Sequence, residues 1–364
     1  MTGFYCGIDL GAKSAHVCVV DAAGAVVLQR KLDCDASLII EQLKKFESIR
    51  IVVESTFNWY WLVDALNDAG FDVVLAHTVA LRAITHAKVK TDKRDAKALA
   101  QLLRLDAIPK AYIYPKEQRY VRDLLRRRLA LVRKRGDEYG SLRRLLMRHG
   151  HLDHSRDSIT RVNNDELKKV FPERDVLAAA EQQLERVALY DKQIDQLEER
   201  VLLYTHTALR DDLRRLTTLP GVSTVLGLTI LYETGPIERF ATARNYSSYA
   251  RVVAGTFQSG TVLRRRGFQS KQGNTNLKWA FNQAALHAVR NYPVVRLCFD
   301  KHLTRHAGKP GKLIAYNTIA HKIAVATFRM LRDKTNYDPT LIFGEEVAKS
   351  ECEPGTVPGS NPLQ

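Results

Sequence analysis

The sequence predicts an α/β N-terminal domain, then a long helical, coiled-coil region, then a mostly α C-terminal domain. Three observations predict it. In the first hundred residues, short apolar runs bounded by turn residues alternate with helical patterns, and strands joined by single helices imply a partly parallel sheet. From Arg119 to His149, apolar residues recur at helical spacing through one unbroken arginine-rich stretch. From about Asp175 to Tyr204, residues Val187, Tyr190, Ile194, Leu197, Val201 and Tyr204 step by threes and fours, as in a heptad seam. The expected divisions are residues 1–110, 116–207 and 210–345. Residues 346–364, with Gly, Pro and Ser and few large apolar side chains, are expected to form a disordered tail.

In chain order, Tyr5 to Asp9 reads as a buried strand closing on an acid, with Gly11 as a turn residue. His16 to Val20 and Ala25 to Leu32 follow as strands around the turn Asp21-Ala22-Ala23-Gly24, giving a β-meander. Ser37 is placed to cap a helix carrying Leu38, Ile39, Leu43 and Phe46. Ile51 to Glu54 is a second buried strand that closes on an acid. Thr56 to Asn67 is a helix with Trp59, Leu62, Val63 and Leu66 on one face, and Phe71 to Ala76 is a fifth strand. A helix is expected over Ala96 to Leu105, and Pro109 and Pro115 bracket a linker. His151 to Asn164 is polar and reads as a loop or insert. Further on, Leu219-Pro220-Gly221-Val222 is a turn before an apolar helix from Thr224 to Tyr232. It resembles the hairpin of helix-hairpin-helix modules, whose backbone N–H groups hold phosphate, and it reads equally as a helix start. Phe240 to Tyr249 is a short helix. Gly255 to Asn274 is a Gly- and Ser-rich basic loop, and helices follow over Thr275 to Val289 and Leu313 to Met330, the last closing the C-terminal core.

The formal charge of +16 on 364 residues points to an acidic partner, with nucleic acid foremost. The excess is concentrated. Arg122, Arg126, Arg127, Arg128 and Arg133 lead the arginine-rich helix, and Arg264, Arg265, Arg266 and Lys271 form a second focus. So many charges of one sign exceed ordinary salt-bridge lacing and read as a surface for a phosphate backbone. The heptad seam suits a helical hairpin within the chain or a dimer of two chains. Five cysteines with no CxxC pair argue for a reducing compartment and against structural zinc. Asp9 and Lys13 interrupt any signal-peptide core, and no apolar run is long enough to span a bilayer.

The chemistry centres on Lys88-Val89-Lys90-Thr91-Asp92-Lys93-Arg94-Asp95-Ala96. Residues three apart share a helix face, so Asp92 and Asp95 can aim at one spot. Taken alone, this is also an ordinary helix start, where Thr or Asp caps and a second Asp meets the helix dipole. Asp9 and Glu54 change the balance, because both close apolar strands, and the C-terminal edge of an open α/β sheet is where ligands bind. Four convergent carboxylates suit Mg²⁺ or Mn²⁺.

The order strand-Asp, strand-Glu, helix-Asp-x-x-Asp resembles the RNase H-like fold with a DEDD acid set, as in RuvC-type junction resolvases. Gly7-Ile8-Asp9-Leu10-Gly11 also resembles the first phosphate loop of the actin, sugar-kinase and Hsp70 ATPase fold, whose further Gly-rich loops this sequence lacks. A wider set of motifs is more specific. It comprises Gly7-Ile8-Asp9, Val53-Glu54-Ser55-Thr56, Thr91-Asp92-Lys93-Arg94-Asp95-Ala96, Leu219-Pro220-Gly221-Val222, Gln258-Ser259-Gly260, and Ser270-Lys271-Gln272-Gly273-Asn274 with Leu277. In this order, across residues 5–335, they resemble insertion-sequence family one-ten, the transposases akin to the Piv DNA invertase.

That resemblance implies a RuvC-like domain whose metal-binding acids fall on Asp9, Glu54, Asp92 and Asp95, and a C-terminal serine nucleophile on Ser259. Read without it, Ser259 is a turn residue with no evident triad partner. The resemblance further implies a composite site formed between protomers, so a homo-oligomer, dimer or tetramer. It implies a structured bridge RNA pairing with donor and target DNA, and a home in the bacterial cytoplasm at the nucleoid. One motif departs: many members continue the Glu motif as Glu-Ala-Thr-Gly, whereas this chain has Glu54-Ser55-Thr56-Phe57-Asn58. A junction-resolving nuclease using water as nucleophile, and a non-catalytic nucleic-acid binder, are the alternatives.

Overall fold

The computed structural model describes residues 3–84, 91–151, 159–206, 209–253, 255–259, 262–268, 272–305 and 311–340, with the backbone alone in 82–83, 255–259 and 262–268. The expected tail lies outside the described residues. The chain divides into two compact units, Met1–Lys116 and Glu117–Gln364.

The first unit is built on a five-stranded sheet of order β3-β2-β1-β4-β5. Its strands are β1 (Phe4–Leu10), β2 (Ser14–Val20), β3 (Val26–Asp33), β4 (Ile49–Glu54) and β5 (Asp72–Ala76). β1, β2 and β3 form the expected antiparallel meander. β4 pairs parallel to β1, and β5 parallel to β4. The helices are α1 (Ala36–Leu43), α2 (Tyr60–Asp68), α3 (Thr78–Ile84) and α4 (Asp92–Arg104). Strand side chains alternate between faces. Cys6, Ile8, Leu10, Ile51 and Val53 therefore meet α1 and α2 through Ile39, Leu43, Leu62, Val63 and Leu66. The opposite face receives α4, whose Ala96, Leu99, Ala100 and Leu103 pack on Cys18, Val20, Val52 and Val74.

Three local details differ from the sequence reading, the first two because a side chain bonds near a helix start and the third through backbone pairing. α1 is capped by Asp35, whose carboxylate accepts from the Ser37 and Leu38 amides, and not by Ser37. α2 starts at Tyr60 and not at Thr56. The Thr56 hydroxyl donates to Asn58 Oδ1 at 2.9 Å, holding a local turn ahead of the helix. The Pro-bracketed linker is held against β5: Ala111 N donates to Leu75 O and His77 N donates to Pro109 O, both at 2.7 Å.

The second unit begins with α5 (Lys116–Arg148), the long helix the arginine-rich pattern predicts. After α6 (Asn164–Val170), α7 (Arg174–Leu202) returns alongside it. Arg128 bonds Glu198, Arg135 bonds Asp191, Arg186 bonds Glu138, and Gln183 bonds Ser141. Partner numbers fall on one helix as they rise on the other, so the pair is antiparallel. The seam is thus satisfied within the chain: Ala180, Val187, Ile194 and Val201, seven residues apart, are all buried. Leu142, Leu146, Leu167 and Phe171 close the far end with α6.

The remaining helices are α8 (Arg210–Thr217), α9 (Thr224–Thr234), α10 (Ala243–Tyr249), α11 (Thr275–Asn291), α12 (Pro293–Arg305) and α13 (Gly311–Asp333). They share a core in which Leu228, Phe281, Ala284, Ile319 and Phe328 are fully buried, and Val121 and Leu125 of α5 join it. The turn before α9 is a packing element. Leu219 and Pro220 are buried, and Gly221 has φ +77°; a Cβ there would lie 2.1 Å from the Ala284 carbonyl oxygen on α11. Ser223 caps α9. Between α10 and α11, where the sequence reading expects a loop, the backbone forms an antiparallel hairpin, β6 (Gly255–Ser259) with β7 (Val262–Phe268). Thr256, Phe257, Val262, Leu263 and Phe268 supply the β-branched and aromatic content that strands favour, which the Gly, Ser and Arg residues obscure.

The tightest approach in the first unit is α4 on β1. A Cβ at Gly7 would lie 2.2 Å from the Ala96 carbonyl oxygen and 2.5 Å from the Ala100 amide. Backbone does not yield as a flexible side chain would. Replacing Gly7 with Ala is expected to lower the stability of the sheet unit by about 1–3 kcal/mol, read as an earlier urea transition.

Candidate active site

The strand register and the packing of α4 bring four acids to one edge of one sheet face. Ile8 on β1 pairs with Val53 on β4, so Asp9 and Glu54 are the next residues along two adjacent parallel strands. Gly7 faces α4, and two residues on Asp9 faces the same way; Val52 faces α4, and so does Glu54 after it. α4 runs with its N-terminus at this edge. Thr91 caps it, its Oγ1 accepting from Arg94 N, and Asp92 and Asp95 form its first turn. Asp92 lies one turn before Ala96 and Asp95 one turn before Leu99, both sheet-facing, so the two acids extend the line of that face beyond its buried part. The ordinary helix-start reading of this segment is borne out: Thr91 caps α4, and Asp92 and Asp95 lie in its first turn.

The sheet adds a residue that the sequence reading passed over. His16 on β2 is the register partner of Asp9, and its Nδ1 stands 3.7 Å from Asp92 Oδ2, an ion pair when the imidazole is protonated. Asp92 is otherwise well exposed, at 69% of its side chain. Carboxylate oxygens are the donors that Mg²⁺ or Mn²⁺ prefers. Among the described residues, no group of three or more His, Cys, Asp or Glu is close enough as placed to hold a metal ion. The acids share a face and an edge, and their donor chemistry fits a hard divalent cation.

In the second unit Ser259 is the last residue of β6, paired with Val262 across the hairpin turn. Arg264, Arg265 and Arg266 lie on β7; the side chains of these four residues, and Lys271 altogether, lie outside what is described. Further along the chain Asn274 caps α11, and its backbone amide donates to Tyr249 O at 2.6 Å. The Asn274 side chain donates at 2.7 Å to Glu233, the hub of the unit. Glu233 on α9 is 1% exposed at its side chain and accepts also from Arg122 Nε at 3.0 Å, Arg126 Nε at 2.6 Å and Asn276 Nδ2 at 3.1 Å. Burial raises its carboxyl pKa, but the Arg126 hydrogen bond, the Arg122 and Arg126 charges and the Asn274 hydrogen bond outweigh burial and hold it below its usual 4.5.

This corrects part of the expected phosphate surface. Arg122 is 8% exposed and spends its charge on Glu233, as Arg126 does, while Arg128 bonds Glu198 at 2.6 Å. These three hold α5 to α9 and α7. Their acids lie 70 to 111 residues away in sequence, so helical spacing alone could not reveal them. Arg127 and Arg133 are exposed, as are Lys134, Arg143, Arg144 and Arg148. Among the described residues no helix is long and apolar enough to cross a membrane, and Cys6, Cys18, Cys34 and Cys298 are free thiols.

Comparison with known proteins bears directly on this arrangement. Residues 6–150, which hold all four acids, match the DEDD family model of the IS110 group, described as a transposase. Residues 213–298, which hold the hairpin, Glu233 and Asn274, match the model of the IS116/IS110/IS902 transposase family. The chain belongs to the IS110 family of insertion-sequence transposases. Similar curated proteins agree. The Sinorhizobium fredii protein y4qE, a transposase by name, is 22% identical over 75% of this chain and 69% of its own length. The uncharacterized 43.6 kDa protein of insertion element IS110 from Streptomyces coelicolor is 31% identical over 36% of this chain and 32% of its own. As a transposase the protein binds DNA.

Two signals for the overlooked residues were present in the transposase sequence. His16 follows Asp9 across a short turn, and a hairpin register brings such residues opposite one another. Glu233 is the one charge in an otherwise uncharged helical run from Thr224, and a lone acid in an apolar helix is costly unless paired. Because the folded Glu233 carboxyl titrates below its unfolded value, its contribution is present above pH 4.5 and is lost as pH falls through the folded value. The Glu233→Gln transposase is expected to be less stable by about 3 kcal/mol or more at neutral pH. Its urea midpoint is also expected to lose this part of the acid dependence.

Proposed function

We propose that this transposase cuts and rejoins DNA through a phosphoserine intermediate at Ser259, supported by a divalent cation at the acid edge. The observation that carries the reading is the convergence of Asp9, Glu54, Asp92 and Asp95 on one edge of one sheet face. This supports an RNase H-like reading of the first unit, a hard-cation set on a meander extended by parallel strands. The four acids would hold Mg²⁺ or Mn²⁺. Bound there, the cation would polarise a scissile phosphate and offset its developing charge. His16, beside Asp92, would orient that carboxylate and limit its motion.

Ser259 is the nucleophile of the proposal. Its Oγ attacks phosphorus, a bond forms from serine oxygen to phosphorus, the bond to the 3′ oxygen breaks, and the hydroxyl proton passes to a base or to solvent. A 3′ hydroxyl from another strand then attacks the phosphoserine and restores the serine as the strands rejoin. The bond energy is retained in the ester, so no nucleotide hydrolysis is needed. A position beside the β6–β7 turn suits a residue that must reach a bulky substrate. Arg264, Arg265 and Arg266 on β7 would offset phosphate charge. A structured RNA encoded by the element would select donor and target by base pairing, and the protein would act as a homo-oligomer. The family resemblance and the +16 charge support these partners.

The test is covalent trapping. The full chain is mixed with the element's terminal DNA, its flanking non-coding RNA and Mg²⁺, then resolved on a denaturing gel. A protein–DNA adduct is expected from the wild type and none from Ser259→Ala, which should still bind DNA. Asp9→Asn and Asp92→Asn are expected to lower adduct formation by at least a hundredfold. Strand nicks without an adduct would replace this reading with a nuclease that uses water.

A further inference from the structure

A groove of about 660 Å³ lies in the second unit where the middle of α5 faces α11 and the turn at Ile159–Thr160. Its chemistry has no part in the proposed cleavage. Arg133 and Arg143 are exposed on α5 beside it, and Arg135, bonded to Asp191, also lines it; Asp137 is the acid in the lining. Trp279 and Gln283, one helical turn apart on α11, form the opposite wall, and both are half-buried. We propose that this groove holds an unpaired stretch of single-stranded nucleic acid, with a base stacked on Trp279 and the adjoining phosphates met by Arg133 and Arg143. The inference rests on the nucleic-acid partner of the transposase reading and not on its serine.

The groove is suited to this occupant and not to a duplex. Stacking on an aromatic wall requires a base free of its partner strand, and every base has a face to offer. Guanidinium groups on the facing helix meet the backbone without regard to sequence. The Gln283 amide can donate to and accept from a base edge. The floor is also cleared for close approach. Gly136 and Gly140 stand one turn apart on α5 and line the groove, and a Cβ at Gly136 would meet nothing within 4 Å. Glycine inside a helix is unfavourable relative to alanine, and among the described residues no neighbouring atom calls for it at Gly136.

The experiment titrates fluorescein-labelled single strands, oligo-dT and oligo-rU of equal length, and a blunt duplex with the full-length protein, followed by anisotropy at several salt concentrations. Trp279→Ala is expected to weaken single-strand binding about tenfold, the scale of one stacked base, with the salt slope and duplex binding unchanged. Trp279→Phe, which restores a stacking face, is expected to recover most of the affinity. The double variant Arg133→Ala, Arg143→Ala is expected to flatten the single-strand salt slope by roughly one to two units. Gly136→Leu fills the groove and removes no binding group. It also favours the helix, so it is expected to raise the melting temperature while lowering single-strand affinity at least tenfold. This variant decides the matter if Trp279→Ala does not fold. Tighter binding of oligo-rU than oligo-dT would assign the groove to RNA, and the reverse to displaced DNA. Full single-strand affinity in Gly136→Leu overturns the inference, as does equal loss of duplex and single-strand binding in Trp279→Ala. An adduct assay that fails while these shifts appear would sink the serine reading and leave the groove in place.

Discussion

The contact on which the acid edge depends is backbone against backbone, α4 lying on β1 at Gly7. Any larger residue would hold the helix off the sheet, because the Ala96 carbonyl and the Ala100 amide occupy the space a Cβ needs. Small residues on both sides allow the approach, with Ala96 and Ala100 on the helix. That approach sets the height of the first turn of α4 above the strand ends. Asp92 and Asp95 then sit over the face that Asp9 and Glu54 share, and His16 comes within 3.7 Å of Asp92. The placement of the acids in the first unit follows from how closely two elements pack.

The second unit depends on a different kind of constraint, a buried charge that requires its partners. Glu233 is nearly inaccessible and gathers two guanidinium groups and two side-chain amides from two other segments of chain, α5 and the start of α11. A buried ion set of this kind adds little net stability relative to an apolar core, yet it is costly to leave incomplete. Its effect is to fix relative position. The basic helix α5, the apolar helix α9 and the cap of α11 are held in one geometry. The helical region and the C-terminal helices consequently form one compact unit.

The two sets of arginines on α5 show how one helix divides its charges. Those facing α9 and α7 are paired with Glu233 and Glu198, while Arg127 and Arg133 are exposed. Net charge alone overstates the surface available to a polyanion, since part of it is neutralised inside the fold. What remains lies along one helix that also borders the Trp279 groove, so phosphate attraction and base stacking are placed side by side.

Much of this protein is determined locally and was legible in the sequence. The meander, the parallel strands that carry Asp9 and Glu54, the helix start at Asp92 and Asp95 and the two long helices follow from periodicities of two and 3.6 residues and from short-range capping. The wider motif set reached the right family from residues scattered over most of the chain. The β6–β7 hairpin was not legible, because glycines and arginines masked its strand residues. Nor was the choice of a hairpin over a dimer for the heptad seam, since identical a and d positions serve both. The tertiary structure alone decided that choice and the partners of Arg122, Arg126 and Arg128. The side of α4 that meets the sheet was decided there too. Each of these depends on contacts between residues far apart in sequence, where charge and packing are settled by proximity in space and leave no local period to read.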